Sequence, residues 1–314
     1  MRILYMGTPE FAVAPLQNLI NQNYTIVGVV TAPDKPAGRG QQISMSAVKT
    51  CALQHNLSIF QPTNLKSEEF ITQVRTLQPD IILVIAFRML PKVIWEIPPL
   101  GTINIHGSLL PQYRGAAPIH WAVVNGETQT GVTSFYINET IDTGNIILQK
   151  TIDIAHTDTT GLVYERLMNL AAELSVETIK YVQKHPHTST PQESITCVVL
   201  HHAPKIEKET CKINWNACGT NIYNHIRGFS PFPAAWTLLK KQDKTIICKI
   251  YFALFTPASH DYIIGTILTD QTNISIAVKD GFIQPTDIQL EGKKRMSIQE
   301  CMRGFSFTDV QIEI

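Results

Sequence analysis

Asp80-Ile81-Ile82-Leu83-Val84-Ile85-Ala86 is the stretch on which the fold turns. After its first residue it is apolar throughout and shows no alternation, as expected of a strand that helices cover on both faces. Upstream, Ile3–Met6 and Ile26–Val30 read as buried strands, and downstream Thr102–Ile105 and Val132–Ile137 do the same. Helical patterns fall between and after them, at Glu68–Leu77 and Leu162–Lys184. Strands alternating with helices predict a mostly parallel α/β sheet. Thr8-Pro9-Glu10, directly after the first strand, reads as a helix start with Thr8 as N-cap and Pro9 at the first helical position.

The pattern changes near position 185. His185-Pro186-His187-Thr188-Ser189-Thr190-Pro191 is rich in turn formers and reads as a linker. Beyond Ala203, one helix is predicted around Gly219–Arg227, followed by short alternating strands at Thr245–Tyr251, Ile263–Leu268 and Ile274–Val278. Short strands separated by polar turns predict a small β-barrel or sandwich. The expected division is 1–189, a linker over 190–204, and 205–314.

A chain of 314 residues with 44% hydrophobic content can build two cored domains. Its 26 basic and 26 acidic residues balance, so bulk charge announces no nucleic-acid partner. Six cysteines form no Cys-x-x-Cys pair and no histidine cluster has zinc spacing, which predicts free thiols, a reducing compartment and no metal. The start, Met-Arg-Ile-Leu-Tyr-Met-Gly, reads as a strand rather than a leader, and no apolar run approaches a membrane span. The expectation is a soluble, cytoplasmic monomer.

Asn104-Ile105-His106 ends a predicted strand. Side chains alternate along a strand, so Asn104 and His106 face the same side, at the edge where open α/β sheets bind ligands. An imidazole can relay protons near neutral pH, and an amide can donate to a developing oxyanion. By itself the tripeptide reads better as a histidine satisfied by local backbone than as a catalytic pair. The loop from Ser108 through Ile119 follows at once, shaped by Pro111 and Gly115. Asp142-Thr143-Gly144 could hold and tune His106, or could form an ordinary Asx-turn. Gly7-Thr8-Pro9-Glu10 is no Gly-x-Gly-x-x-Gly fingerprint, which argues against a dinucleotide. The loop Pro33–Gly40 carries Lys35 and Arg39, which could contact phosphates or bases, but by itself it reads as a solvated surface loop.

Together these segments resemble the methionyl-tRNA formyltransferases. The resemblance rests on Gly-Thr-Pro-Glu-Phe-Ala-Val (7–13), Lys-Pro-Ala-Gly-Arg-Gly (35–40), Asn-Ile-His-x-Ser-Leu-Leu-Pro (104–111), Tyr-Arg-Gly-Ala-Ala-Pro-Ile (113–119) and Asp-Thr-Gly (142–144). It continues in Ala-Pro-Lys-Ile (203–206), in Ile226–Trp236 and in Gly-Lys-Lys-Arg-Met (292–296), so it covers nearly the whole chain. It implies a Rossmann-like formyltransferase domain followed by an OB-like barrel, with Asn104, His106 and Asp142 as the catalytic set. It implies 10-formyltetrahydrofolate as donor, bound near Ser108, Leu109, Leu110 and Pro111, with no metal. It implies methionyl initiator tRNA as acceptor, approached by Lys35 and Arg39, with further backbone contacts from the barrel. Alternatives with the same chemistry are an amino-sugar formyltransferase and a hydrolase of the same folate. The chain departs from the family pattern at Ala86-Phe87-Arg88, where Ala-Tyr-Gly is usual. It departs again at Thr140-Ile141 and Asn145 around Asp-Thr-Gly, where Gly-Leu usually precedes and Asp follows.

Overall fold

The computed structural model describes residues 1–37, 42–195, 199–270 and 272–314. Two compact units emerge, the first made of Met1–Gly115, Thr130–Ile152 and Tyr164–His202, the second of Ala116–Gln129, Asp153–Val163 and Ala203–Ile314.

The first unit is built on a seven-stranded sheet. Its strands are β1 (Arg2–Gly7), β2 (Thr25–Val30), β3 (Ile59–Phe60), β4 (Ile81–Ile85), β5 (Thr102–His106), β6 (Gln129–Tyr136) and β7 (Ile146–Asp153), in the order β7-β6-β5-β4-β1-β2-β3. Strands β3, β2, β1, β4 and β5 run parallel, and β6 pairs antiparallel with β5. Every side chain of β4 is buried, which accounts for its unbroken apolar run. Each such aliphatic side chain contributes about 1.5–3 kcal/mol by leaving water. One cluster joins Leu4, Met6, Ile82 and Val84 to Phe70, Ile71 and Val74. The last three belong to the helix Glu68–Thr76, which Ser67 caps by accepting from Phe70 N.

The first helix does not start where the sequence suggests. Pro9 rather than Thr8 holds the N-cap position, no side chain caps it, and a 3-10 turn at Glu10–Ala12 precedes the α-helix Val13–Asn21. Pro9 has extended backbone angles, φ −79° and ψ 177°, so it cannot be the first helical residue.

The second unit carries a nearly closed antiparallel sheet. Strands β8 (Ala235–Lys241), β9 (Lys244–Pro257), β10 (Ile267–Thr269), β11 (Ile274–Val278), β12 (Gly281–Leu290) and β14 (Val310–Ile312) lie in the order β10-β11-β12-β9-β8-β14, with β13 (Met296–Ser297) beside β12. This is the barrel-like architecture expected after the Rossmann-like sheet. The helix Gly219–Gly228 supplies Ile222, Tyr223 and Ile226 to a core shared with Trp215, Phe229, Ile250 and Ile288. Trp215 is wholly buried and satisfies its indole N–H on Thr237 Oγ1 at 2.9 Å. The strand predicted at Ile263–Leu268 is shorter and later, Ile267–Thr269. Thr266 N closes a turn onto Ile263 O, Gly265 adopts φ +84°, and Ile263 is left 80% exposed.

Candidate active site

Strand β5 places Asn104 and His106 on one face, at the carboxyl end of the parallel part of the sheet. Across the antiparallel ladder, Asn104 stands opposite Phe135 and His106 opposite Thr133. His106 is 7% exposed. Its Nε2 lies 2.8 Å from Tyr113 O. A carbonyl oxygen only accepts, so Nε2 carries a proton and donates it there. Tyr113 is itself fixed, with its N–H donating to His201 O at 2.7 Å and its ring stacked on that of His201. The other nitrogen, Nδ1, faces Asp142 Oδ2 at 3.9 Å. Oδ1 of Asn104 is buried and has no hydrogen-bond partner among the described residues.

Thr133 staples the loop that follows β5. Its hydroxyl donates to Ser108 O at 2.7 Å and accepts from Leu110 N at 3.1 Å and from Gln149 Nε2 at 2.9 Å. Gln149 Nε2 also reaches Leu110 O, and Ser108 Oγ donates to Gln112 O at 2.6 Å. Ser108, Leu110 and Pro111 are buried and Leu109 is half-buried. The hydroxyl of Ser108 is therefore committed to shaping its own loop.

Asp142 sits at φ +56°, a left-handed conformation that Asp tolerates better than most residues. Its Oδ2 accepts from Gly115 N at 2.9 Å, joining the loop after β6 to the loop after β5. Gly144 is required beside it, because a Cβ there would lie 1.6 Å from Tyr136 O. Gln192 is 1% exposed and donates through Nε2 to Asp142 O at 2.9 Å and to Gly144 O at 2.8 Å. Its Oε1 accepts two N–H groups of Arg114. No periodicity or motif marks Gln192; it lies in the stretch that reads as linker. The carbonyl of Tyr113 is equally invisible in sequence, since any residue could provide it.

Lys35 is exposed and opens a two-stranded ladder, Lys35–Ala37 against Gln42–Ser44. Arg39 lies outside the described residues. At the foot of the ladder Lys49 Nζ donates to Asp34 Oδ2 at 2.5 Å and to Gln61 Oε1 at 2.8 Å, and Gln61 Nε2 returns to Asp34 Oδ1. The Lys49 ammonium holds the Asp34 carboxyl below its ordinary range. The variant segment Phe87-Arg88 turns toward a neighbouring loop, with Arg88 donating to the carbonyls of Pro62 and Thr63. Thr140 and Ile141 are exposed.

Burial pushes the Cys248 thiol up to about 12 and the Cys211 thiol up to about 11, so neither offers a thiolate at neutral pH. Among the described residues no three His, Cys, Asp or Glu side chains are grouped to hold a metal ion, and no helix is long and apolar enough to cross a membrane.

The family model described as formyl transferase matches residues 1–179, and the formyl transferase C-terminal domain matches 205–306. Methionyl-tRNA formyltransferase of Flavobacterium johnsoniae is 49% identical over 309 residues, covering 98% of each chain. The Bacteroides fragilis enzyme of the same name is 48% identical over 312 residues, 98% of this chain and 96% of its own. Among solved structures, the N-formyltransferase from Helicobacter canadensis, in complex with folinic acid and dTDP-3-aminofucose, superposes with a TM-score of 0.64. It is 20% identical, with 90% of this chain and 98% of that one covered, a likeness of fold alone. With both family models matched and near-half identity over almost its full length, the chain belongs to the methionyl-tRNA formyltransferase family.

Proposed function

We propose that the chain transfers the formyl group of 10-formyltetrahydrofolate to the α-amino group of methionyl initiator tRNA, with Asn104, His106 and Asp142 as its catalytic residues. The observation that carries this reading is the meeting of His106 Nδ1 and Asp142 Oδ2 beside Asn104 at the sheet edge, in a chain 49% identical to a methionyl-tRNA formyltransferase. The neutral amine attacks the formyl carbon, a new N–C bond forms, and the carbonyl oxygen becomes an oxyanion. The amide of Asn104 donates to it. One such donor is worth about 3–4 kcal/mol in acyl-transfer sites. His106 takes the amine proton at Nδ1, because Nε2 is committed to Tyr113 O, and delivers it to the departing folate nitrogen as the old C–N bond breaks. Asp142 stabilises the imidazolium that exists between the two transfers.

The donor is assigned to the Ser108–Pro111 loop, which Thr133 and Gln149 hold by its backbone. The acceptor is assigned to Lys35, Arg39 and the region 205–314, the catalytic chemistry to 1–189. The free thiols of Cys51, Cys211, Cys218, Cys248 and Cys301 support a cytoplasmic setting. The test is formylation of methionyl initiator tRNA, methionyl elongator tRNA and an amino sugar in parallel, with donor loss in buffer alone as a fourth arm. Formyl transfer to the initiator tRNA at a rate at least about tenfold above the other arms is expected, a preference of some 1.4 kcal/mol. Preferred transfer to the sugar, or donor loss independent of acceptor, would assign the chain to another branch of the same chemistry.

A further inference from the structure

We propose that Gln192 is the positioning residue for the catalytic carboxylate, acting through the backbone of the Asp142 loop. The proposal rests on the catalytic reading above. Asp142 occupies a left-handed backbone conformation and lies 3.9 Å from His106 Nδ1, so small rotations of its loop decide whether the two groups act together. A shift of 1 Å in such a site costs up to about a hundredfold in rate.

One carboxylate bond, Gly115 N to Oδ2, holds the end of the Asp142 side chain. Nothing in that bond fixes the loop's backbone. Gln192 does, because its amide N–H₂ group spans Asp142 O and Gly144 O, at 2.9 and 2.8 Å. An amide nitrogen has two N–H groups, and both are used. The amide oxygen is oriented in turn by Arg114, whose Nε and Nη2 reach it at 3.0 and 2.6 Å. Arg114 precedes Gly115, the residue that binds the carboxylate itself. Gln192 therefore ties together the segment that grips the carboxylate and the backbone that carries it. Its own place is held by Thr190, which forms a bridge with Ile146 through N–H and carbonyl at 2.7 and 2.8 Å. Burial to 1% exposure excludes a surface role for the side chain. Only a residue with two donors and one acceptor at this length fills the site. Asn is one methylene shorter, Glu lacks the donors, and Met matches the length without either function.

The experiment uses the full chain and single-turnover formylation of methionyl initiator tRNA, alongside the Michaelis constants for both substrates. Wild-type transfer is the first arm, and its absence would indict the catalytic reading rather than Gln192. Gln192→Met is expected to slow the single-turnover rate by about 10- to 100-fold while both Michaelis constants stay within about twofold, a change too small to count as lost binding. Gln192→Glu keeps the partner of Arg114 and loses the donors, so it is expected to be as slow. Combined with Asp142→Asn, Gln192→Met is expected to add less than about threefold, because residues that act as a unit are non-additive. If Gln192→Met proves insoluble, Gln192→Glu carries the same readouts. A near-normal rate in Gln192→Glu overturns the proposal. So does a full multiplicative loss on top of Asp142→Asn, which would show that Gln192 acts on the rate independently of that carboxylate.

Discussion

The carboxylate of Asp142 stands 3.9 Å from Nδ1 of His106, with the two side chains 10% and 8% exposed. That distance lies in ion-pair range and beyond hydrogen-bond length. The orienting hydrogen bond of the imidazole comes from elsewhere, Nε2–H to Tyr113 O. In the proposed mechanism the carboxylate and the reacting amine share the Nδ1 side of the ring, which suits a partner that stabilises charge as it forms.

Asn104→Ala should lower the turnover rate at least about a hundredfold, the loss of one oxyanion donor. Its effect on the melting temperature should be small, since Oδ1 has no partner among the described residues to lose. Steady-state kinetics and a thermal melt on the same preparation decide it. A normal rate would remove Asn104 from the mechanism.

Thr133→Val preserves shape and deletes the hydroxyl that holds Ser108 O, Leu110 N and Gln149 Nε2. Leaving buried groups unpaired costs about 1–3 kcal/mol each. The Ser108–Pro111 loop should loosen, and folate affinity measured by titration should fall severalfold, with tRNA affinity unchanged. Intact folate affinity would place the donor elsewhere.

Arg39→Ala, and to a smaller degree Lys35→Ala, should lower kcat/KM for tRNA by about tenfold, roughly 1.4 kcal/mol, with folate binding unaffected. Equal loss of folate affinity would assign the loop to the donor. In the second unit, the exposed Lys293 and Lys294 are free of the Asp287 contact that engages Arg295. Lys293→Gln with Lys294→Gln should reduce the slope of log affinity for tRNA against log salt by about 1–2. An unchanged slope would exclude these lysines from the tRNA contact.

Burial lowers the ring pKa of both His225 and His120, and Nε2 of His225 has no partner among the described residues. Each ring therefore binds its proton less readily folded than unfolded, where the pKa is about 6.5. The stability linked to neutral rings is complete above that value and is lost as pH falls through the folded pKa. Urea unfolding at pH 7 and pH 5 should show wild-type stability declining by up to about 1.4 kcal/mol per pH unit for each such histidine. His225→Leu should decline less steeply. Parallel slopes would mean that His225 is not an acid-sensitive element.

The parallel sheet was legible because burial on both faces leaves an unbroken apolar run, as at Ile81–Ile85. The shared face of Asn104 and His106 followed from strand alternation alone. Contacts that depend on long-range closure were not legible: Gln192 reaches Asp142 across 50 residues. Tyr113 contributes a carbonyl, which carries no residue signature. The misplaced cap at Thr8 shows local propensity yielding to the turn that packs Phe11 and Ala12 into the core.

Whether Asp142 acts on His106 is decided by single-turnover formylation of methionyl initiator tRNA with Asp142→Asn beside wild type. Asn keeps an oxygen to accept from Gly115 N and deletes the negative charge facing His106 Nδ1. The rate should fall by about three to four orders of magnitude, the scale of the corresponding loss in a histidine–carboxylate pair, with folate and tRNA affinities nearly unchanged. A near-normal rate would contradict it and leave Asp142 as the residue that merely joins two loops.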